Sequence, residues 1–96
     1  MKKQEILNLI KSSKPELAER YGVRQVGLFG SYVRGQEKVS SDIDILVSFQ
    51  RDVDLFEFIE LREYLETKLQ AKVDLVMLSA LKPAIGRRIL DEVQYV

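Results

Sequence analysis

Leu28-Phe29-Gly30-Ser31-Tyr32-Val33-Arg34-Gly35, then a short polar loop, then Ser41-Asp42-Ile43-Asp44-Ile45-Leu46-Val47: this pair of stretches decides the fold. The first closes an apolar segment on a Gly-Ser turn. The second opens another apolar segment with two carboxylates spaced two residues apart. Val23 to Phe29 reads as strand one, with Val26 and Leu28 on one face and Gly27 and Phe29 on the other. Gly27 weakens a strand and marks a close approach by another element. A short helix begins at Ser31 and ends near Gly35. Asp42 to Phe49, rich in Ile and Val, reads as strand two.

Working outward, Ile6, Leu9 and Ile10 recur at helical spacing in residues 2 to 12. Pro15 fits the first turn of a helix far better than its middle, so a second helical piece is expected from Pro15 to Tyr21, stopped by Gly22. Beyond strand two, Asp54 with Glu57 three residues later has the form of a capping box. Phe58, Leu61, Leu65 and Leu69 make an apolar stripe on the long helix that follows. Val73 to Met77 reads as strand three. Ser79 is the expected cap of a last helix, with Leu81, Ile85, Ile89 and Val93 facing inward.

The helix between strands two and three is long enough to cross over, which favours parallel pairing with a right-handed connection. The expected class is therefore α/β (α+β): a small mixed sheet of about three strands flanked by helices. In that arrangement Asp42 and Asp44 stand at the start of strand two and Asp74 at the start of strand three. If strand one is antiparallel to strand two, the Gly30-Ser31 turn reaches the same edge. Asp42 and Asp44 share a face, with Cα atoms about 6.5 Å apart, while Ile43, Ile45 and Val47 bury on the other. Aligned carboxylates repel unless a cation sits between them. Glycine admits phosphate oxygens close to backbone N–H groups. Ser31 adds a hydroxyl and Arg34 a positive charge. Singly, each feature has an ordinary explanation as a turn, a solvated strand end or a surface cation; their joint order and spacing point to metal-dependent chemistry on a nucleoside triphosphate.

Composition narrows the possibilities. Ninety-six residues suffice for one domain with a modest core, expected to span 1–96. Fifteen Lys and Arg balance fifteen Asp and Glu, so no extended nucleic-acid binding is expected. The basic pairs Lys2-Lys3 and Arg87-Arg88 read as solvated helix ends. With no Cys and no His, disulfides, zinc-thiolate sites and histidine bases are out of reach, and any metal must be a hard ion held by oxygens. The charged first segment is unlike a signal peptide, and no apolar run is long enough to span a bilayer; a cytoplasmic location without membrane contact is expected.

The segment from Leu28 to Gly35, taken with Ser41 to Val47, resembles the signature of minimal nucleotidyltransferases in the DNA polymerase β-like superfamily, with a palm-like fold. One mild departure is Val33, where many relatives have alanine. The resemblance implies that Gly30, Ser31 and Arg34 hold the nucleotide. It implies that Asp42, Asp44 and Asp74 are catalytic, ligating two Mg2+ ions, with ATP as substrate. Stand-alone domains of this size are similar to the antitoxin of a two-gene module whose partner is a HEPN-type ribonuclease toxin. The implied reaction moves AMP from ATP to a toxin tyrosine. Two alternatives stay open: an antitoxin that neutralises by contact alone, and a transferase subunit acting on a small molecule with a partner chain.

Overall fold

Two strands with opposite demands organise the chain. The computed structural model describes residues 1–96. Val23–Phe29 forms β1 and Ile43–Phe49 forms β2. They pair antiparallel, with Leu28 opposite Ile45 and Phe29 opposite Asp44. Val73–Met77 forms β3, parallel to β2, with Asp44 opposite Asp74. A two-residue strand, β4 (Gln94–Tyr95), adds to the free edge of β1, giving the order β3-β2-β1-β4. The sheet thus has four strands rather than about three.

Helix α1 (Lys3–Tyr21) and helix α3 (Leu55–Leu69) cover one face of the sheet. Ile6, Ile10, Leu17 and Tyr21 from α1, and Leu61, Leu65 and Leu69 from α3, join Val26, Leu28, Ile43, Ile45 and Val47 in the main core. The capping box at α3 is present: Asp54 Oδ1 accepts from the Glu57 N–H at 2.8 Å, and Glu57 Oε1 accepts from the Asp54 N–H at 3.4 Å.

Three expectations fail. Helix α1 runs unbroken through Pro15 instead of restarting there. The buried stripe Ile6, Ile10, Ser13, Leu17 and Tyr21 is continuous across the proline, and packing overrides local propensity. The carbonyl that loses its donor belongs to Lys11, an exposed residue with water at hand. Ser79 does not cap the last helix. Leu78–Ala80 is a single 3-10 turn, and α4 (Pro83–Glu92) starts at the proline. The phase of α4 follows: Gly86 and Ile89 are buried, while Ile85 is exposed rather than inward. Gly86 lets the helix approach Leu81, where an added Cβ would meet Leu81 Cβ at 3.0 Å.

The second face is thinner. Phe29, Leu46 and Ile89 form a small cluster beneath α4, bordered by Val76, Leu81 and Val93. Gly27 is where β4 closes in: a Cβ there would stand 2.7 Å from Val93 Cγ2 and 3.0 Å from the Gln94 carbonyl. The close approach read from Gly27 is this strand. No helix is long and apolar enough to cross a membrane.

Candidate active site

The site grows from the pairing register. Because Phe29 lies opposite Asp44 and Asp44 opposite Asp74, the end of β1 and the starts of β2 and β3 share one edge of the sheet. Gly30 follows Phe29 immediately, so its turn begins beside Asp44. Alternation puts Asp44 on the face of Phe29, Leu46 and Ile89, away from the main core.

Gly30 is required here twice over. Its backbone sits at φ 80° and ψ −151°, a region open essentially to glycine alone. An added Cβ would also collide with the Asp44 carboxylate. The short helix α2 (Ser31–Arg34) follows, closed by Gly35 in the left-handed conformation. Val33 and Arg34 both donate backbone hydrogen bonds to the Gly30 carbonyl, at 3.0 and 3.1 Å. Tyr32 is buried in the main core and anchors the helix, while Ser31 is half-buried and Arg34 exposed.

Asp44 carries the strongest electrostatic signature in the molecule. Burial first, then the charge and hydrogen bond of Asp74, then the charge of Asp42, raise its carboxyl from an ordinary 3.8 to about 6, with Arg34 opposing. Asp44 and Asp74 therefore form a directly coupled pair. Asp42 stands just outside β2, exposed, and acts on Asp44 through space. The three carboxylates do not close into a ready-made metal cage in this structure. Their chemistry nonetheless fits a hard divalent ion: oxygen donors only, and mutual repulsion that a cation would relieve.

A further acid belongs to the assembly. Glu92, at the end of α4, accepts the Gly30 N–H at 2.5 Å and receives Arg34 Nη1 at 3.0 Å on each carboxylate oxygen. Sequence reasoning missed it. A lone acid near a helix end carries no local signal, and its partners lie about sixty residues away in sequence.

A mixed sheet presenting a Gly-Ser turn beside paired strand-borne carboxylates defines the palm-type class of nucleotidyltransferases. The chain belongs to the nucleotidyltransferase domain family, whose model matches residues 10–96. It is 54% identical over 93 residues to the protein adenylyltransferase MntA of Thermococcus cleftensis, covering 97% of this chain and 94% of that one. A solved structure described as a minimal nucleotidyltransferase superposes with a TM-score of 0.81 at 32% identity, covering 98% of this chain and 95% of the other. A solved toxin-antitoxin complex with AMP-PNP contains a chain that superposes with a TM-score of 0.73 at 26% identity, covering 88% of this chain and 70% of that one.

Proposed function

We propose that this chain transfers AMP from ATP to a hydroxyl group, a tyrosine, on a partner HEPN-type toxin, and so acts as its antitoxin. The observation that carries this is the register that aligns Asp44 with Asp74 directly beside the Gly30-Ser31 turn. The kinship with a protein adenylyltransferase and with a toxin-antitoxin complex supports the choice of acceptor.

In this reading the triphosphate lies along Gly30 and Ser31, with the Ser31 hydroxyl and the Arg34 guanidinium donating to phosphate oxygens. Gly30 has no side chain to keep the phosphates away. Asp42, Asp44 and Asp74 would hold Mg2+, which when bound neutralises phosphate charge and stabilises the entering and leaving oxygens. Asp74, more exposed than Asp44, receives the acceptor's proton as its oxygen attacks the α-phosphorus. The bond from that phosphorus to the β-phosphate oxygen breaks, and pyrophosphate leaves. The new phosphodiester places a charge on the toxin surface, which repels RNA. The three-carboxylate set and the domain boundary at 1–96 belong to the same proposal.

Labelled ATP, Mg2+ and the product of the neighbouring gene test it. Label should appear on the partner and vanish with the double substitution Asp42→Asn/Asp44→Asn. Absence of label with the unsubstituted chain contradicts the proposal. Full neutralisation of the toxin by the doubly substituted chain would instead make contact alone the mechanism.

A further inference from the structure

Glu92 is out of place for a residue that merely docks a helix. Helix α4 is held to the sheet by Ile89, with Leu81 and Val93 beside it, and none of these contacts needs a carboxylate. Yet the Glu92 side chain is only 17% exposed, and it reaches across to the loop after β1. There one carboxylate grips both ends of α2. At the start it accepts the Gly30 N–H at 2.5 Å; at the finish it takes Arg34 Nη1 at 3.0 Å on both oxygens.

Both gripped groups need restraint. Gly30 occupies a sparsely populated backbone region, which persists only when its surroundings over-determine it. Arg34 is a long side chain at 37% exposure, and an unrestrained guanidinium would be spread over many rotamers. Glu92 from one side and Gln36 Oε1, at 3.2 Å from Nε, from the other fix the plane of the guanidinium. Arginine has five N–H donors in a rigid fork. Glu92 and Gln36 engage Nε and Nη1 and leave Nη2 for another acceptor.

We infer that Glu92 is a positioning residue for the nucleotide. It locks the Gly30 backbone and the Arg34 guanidinium in the arrangement that receives phosphate, so the C-terminal helix presets the phosphate-binding loop. This rests on the phosphate-binding role proposed above for Gly30, Ser31 and Arg34. It is the opposite of a second role open to the same carboxylate, an internal anion that competes with phosphate for the same donors.

The sign of one measurement separates the two. Affinity for a non-hydrolysable ATP analogue with Mg2+ is measured calorimetrically for the unsubstituted chain, Glu92→Ala, Glu92→Gln and the surface control Asp91→Asn, each with its melting curve. Glu92→Ala should weaken binding about tenfold, the loss expected when a charge-assisted hydrogen-bonding partner is removed. Glu92→Gln keeps an acceptor for the Gly30 N–H and should restore about half of that loss on a logarithmic scale. Asp91→Asn should bind as the unsubstituted chain does. In transfer assays the KM for ATP should rise while kcat at saturating ATP stays within about twofold. Unchanged affinity in folded Glu92→Ala overturns the inference and leaves Glu92 a helix tether. Tighter binding overturns it in favour of the competing anion. If Glu92→Ala does not fold, Glu92→Gln decides by the same signs. No binding by the unsubstituted chain would overturn the phosphate-site reading itself, and the inference with it.

Discussion

The two faces of the sheet are built on different terms. Beneath α1 and α3, 16 buried hydrophobic residues pack into one cluster. Beneath α4, only Phe29, Leu46 and Ile89 are buried together, and the same face carries Asp44 and, through Glu92, the grip on the Gly30 turn. The thick face supplies stability from apolar burial. The thin face supplies little, and holds groups whose mutual repulsion works against folding. The difference teaches where strain is tolerated: a coupled carboxylate pair and a glycine in a sparsely populated conformation persist because the opposite face over-stabilises the sheet that carries them.

The largest expected effect lies on the thin face. Gly30→Ala drives a methyl group into the Asp44 carboxylate and forces a rare backbone conformation on an L-residue. Transfer activity should fall by about a hundredfold or more, since each 1.4 kcal/mol of lost placement is about tenfold. Near-normal activity of a folded Gly30→Ala would break the contrast between the faces.

Stability should show the reverse ranking. Leu65→Ala, in the thick core, should lower unfolding free energy by about 3–5 kcal/mol, while Ile89→Ala should lose about 2 kcal/mol because its cluster is small and nearer solvent. Urea denaturation of the two checks this, and equal losses would erase the distinction.

Asp44 sharpens it further. Its folded carboxyl titrates near 6 and its ordinary value is 3.8, so between those limits the folded chain binds more protons than the unfolded one. Stability should therefore fall as pH rises through that window and level off above it. Asp44→Asn should stabilise the metal-free chain at pH 7 by about 1.5 kcal/mol, discounted for the half-exposed position, while abolishing transfer. Thermal melts from pH 4 to 8 would show the slope disappear in the variant. Divalent-ion affinity should drop as pH falls through about 6, where protons compete for the same oxygens. Smallest is the helix cap: Asp54→Ala should cost about 1 kcal/mol with transfer unaffected, a melting-point change without a kinetic one.

Much of this was legible in local chemistry. Short apolar stretches marked β1, β2 and β3, Asp54 and Glu57 marked the start of α3, and Gly27 marked a crowded point on β1. The parallel β2-β3 pairing followed from the length of α3. What the sequence hid was set by distant contacts. Pro15 argued for a break that the buried stripe of α1 overrode. The strand β4 is two residues long and has no periodicity to find. Spacing alone turns Ile85 inward, but Gly86 fixes the phase of α4. Glu92 was invisible because its meaning comes from Gly30 and Arg34. Of the candidate site, the placing of Gly30, Asp44 and Asp74 at one sheet edge was foreseeable from topology; the looser station of Asp42 was not, because it lies just outside the strand that orders its neighbour.

The most direct test is a crystal structure of the chain with Mg2+ and a non-hydrolysable ATP analogue. The phosphates should lie against Gly30 and Ser31, with cation density joining them to Asp44 and Asp74. A nucleotide seated elsewhere, for instance in the hollow at the far ends of β2 and β3 lined by Gln50, Arg51 and Ser79, or carboxylates left without a cation between them, would contradict it.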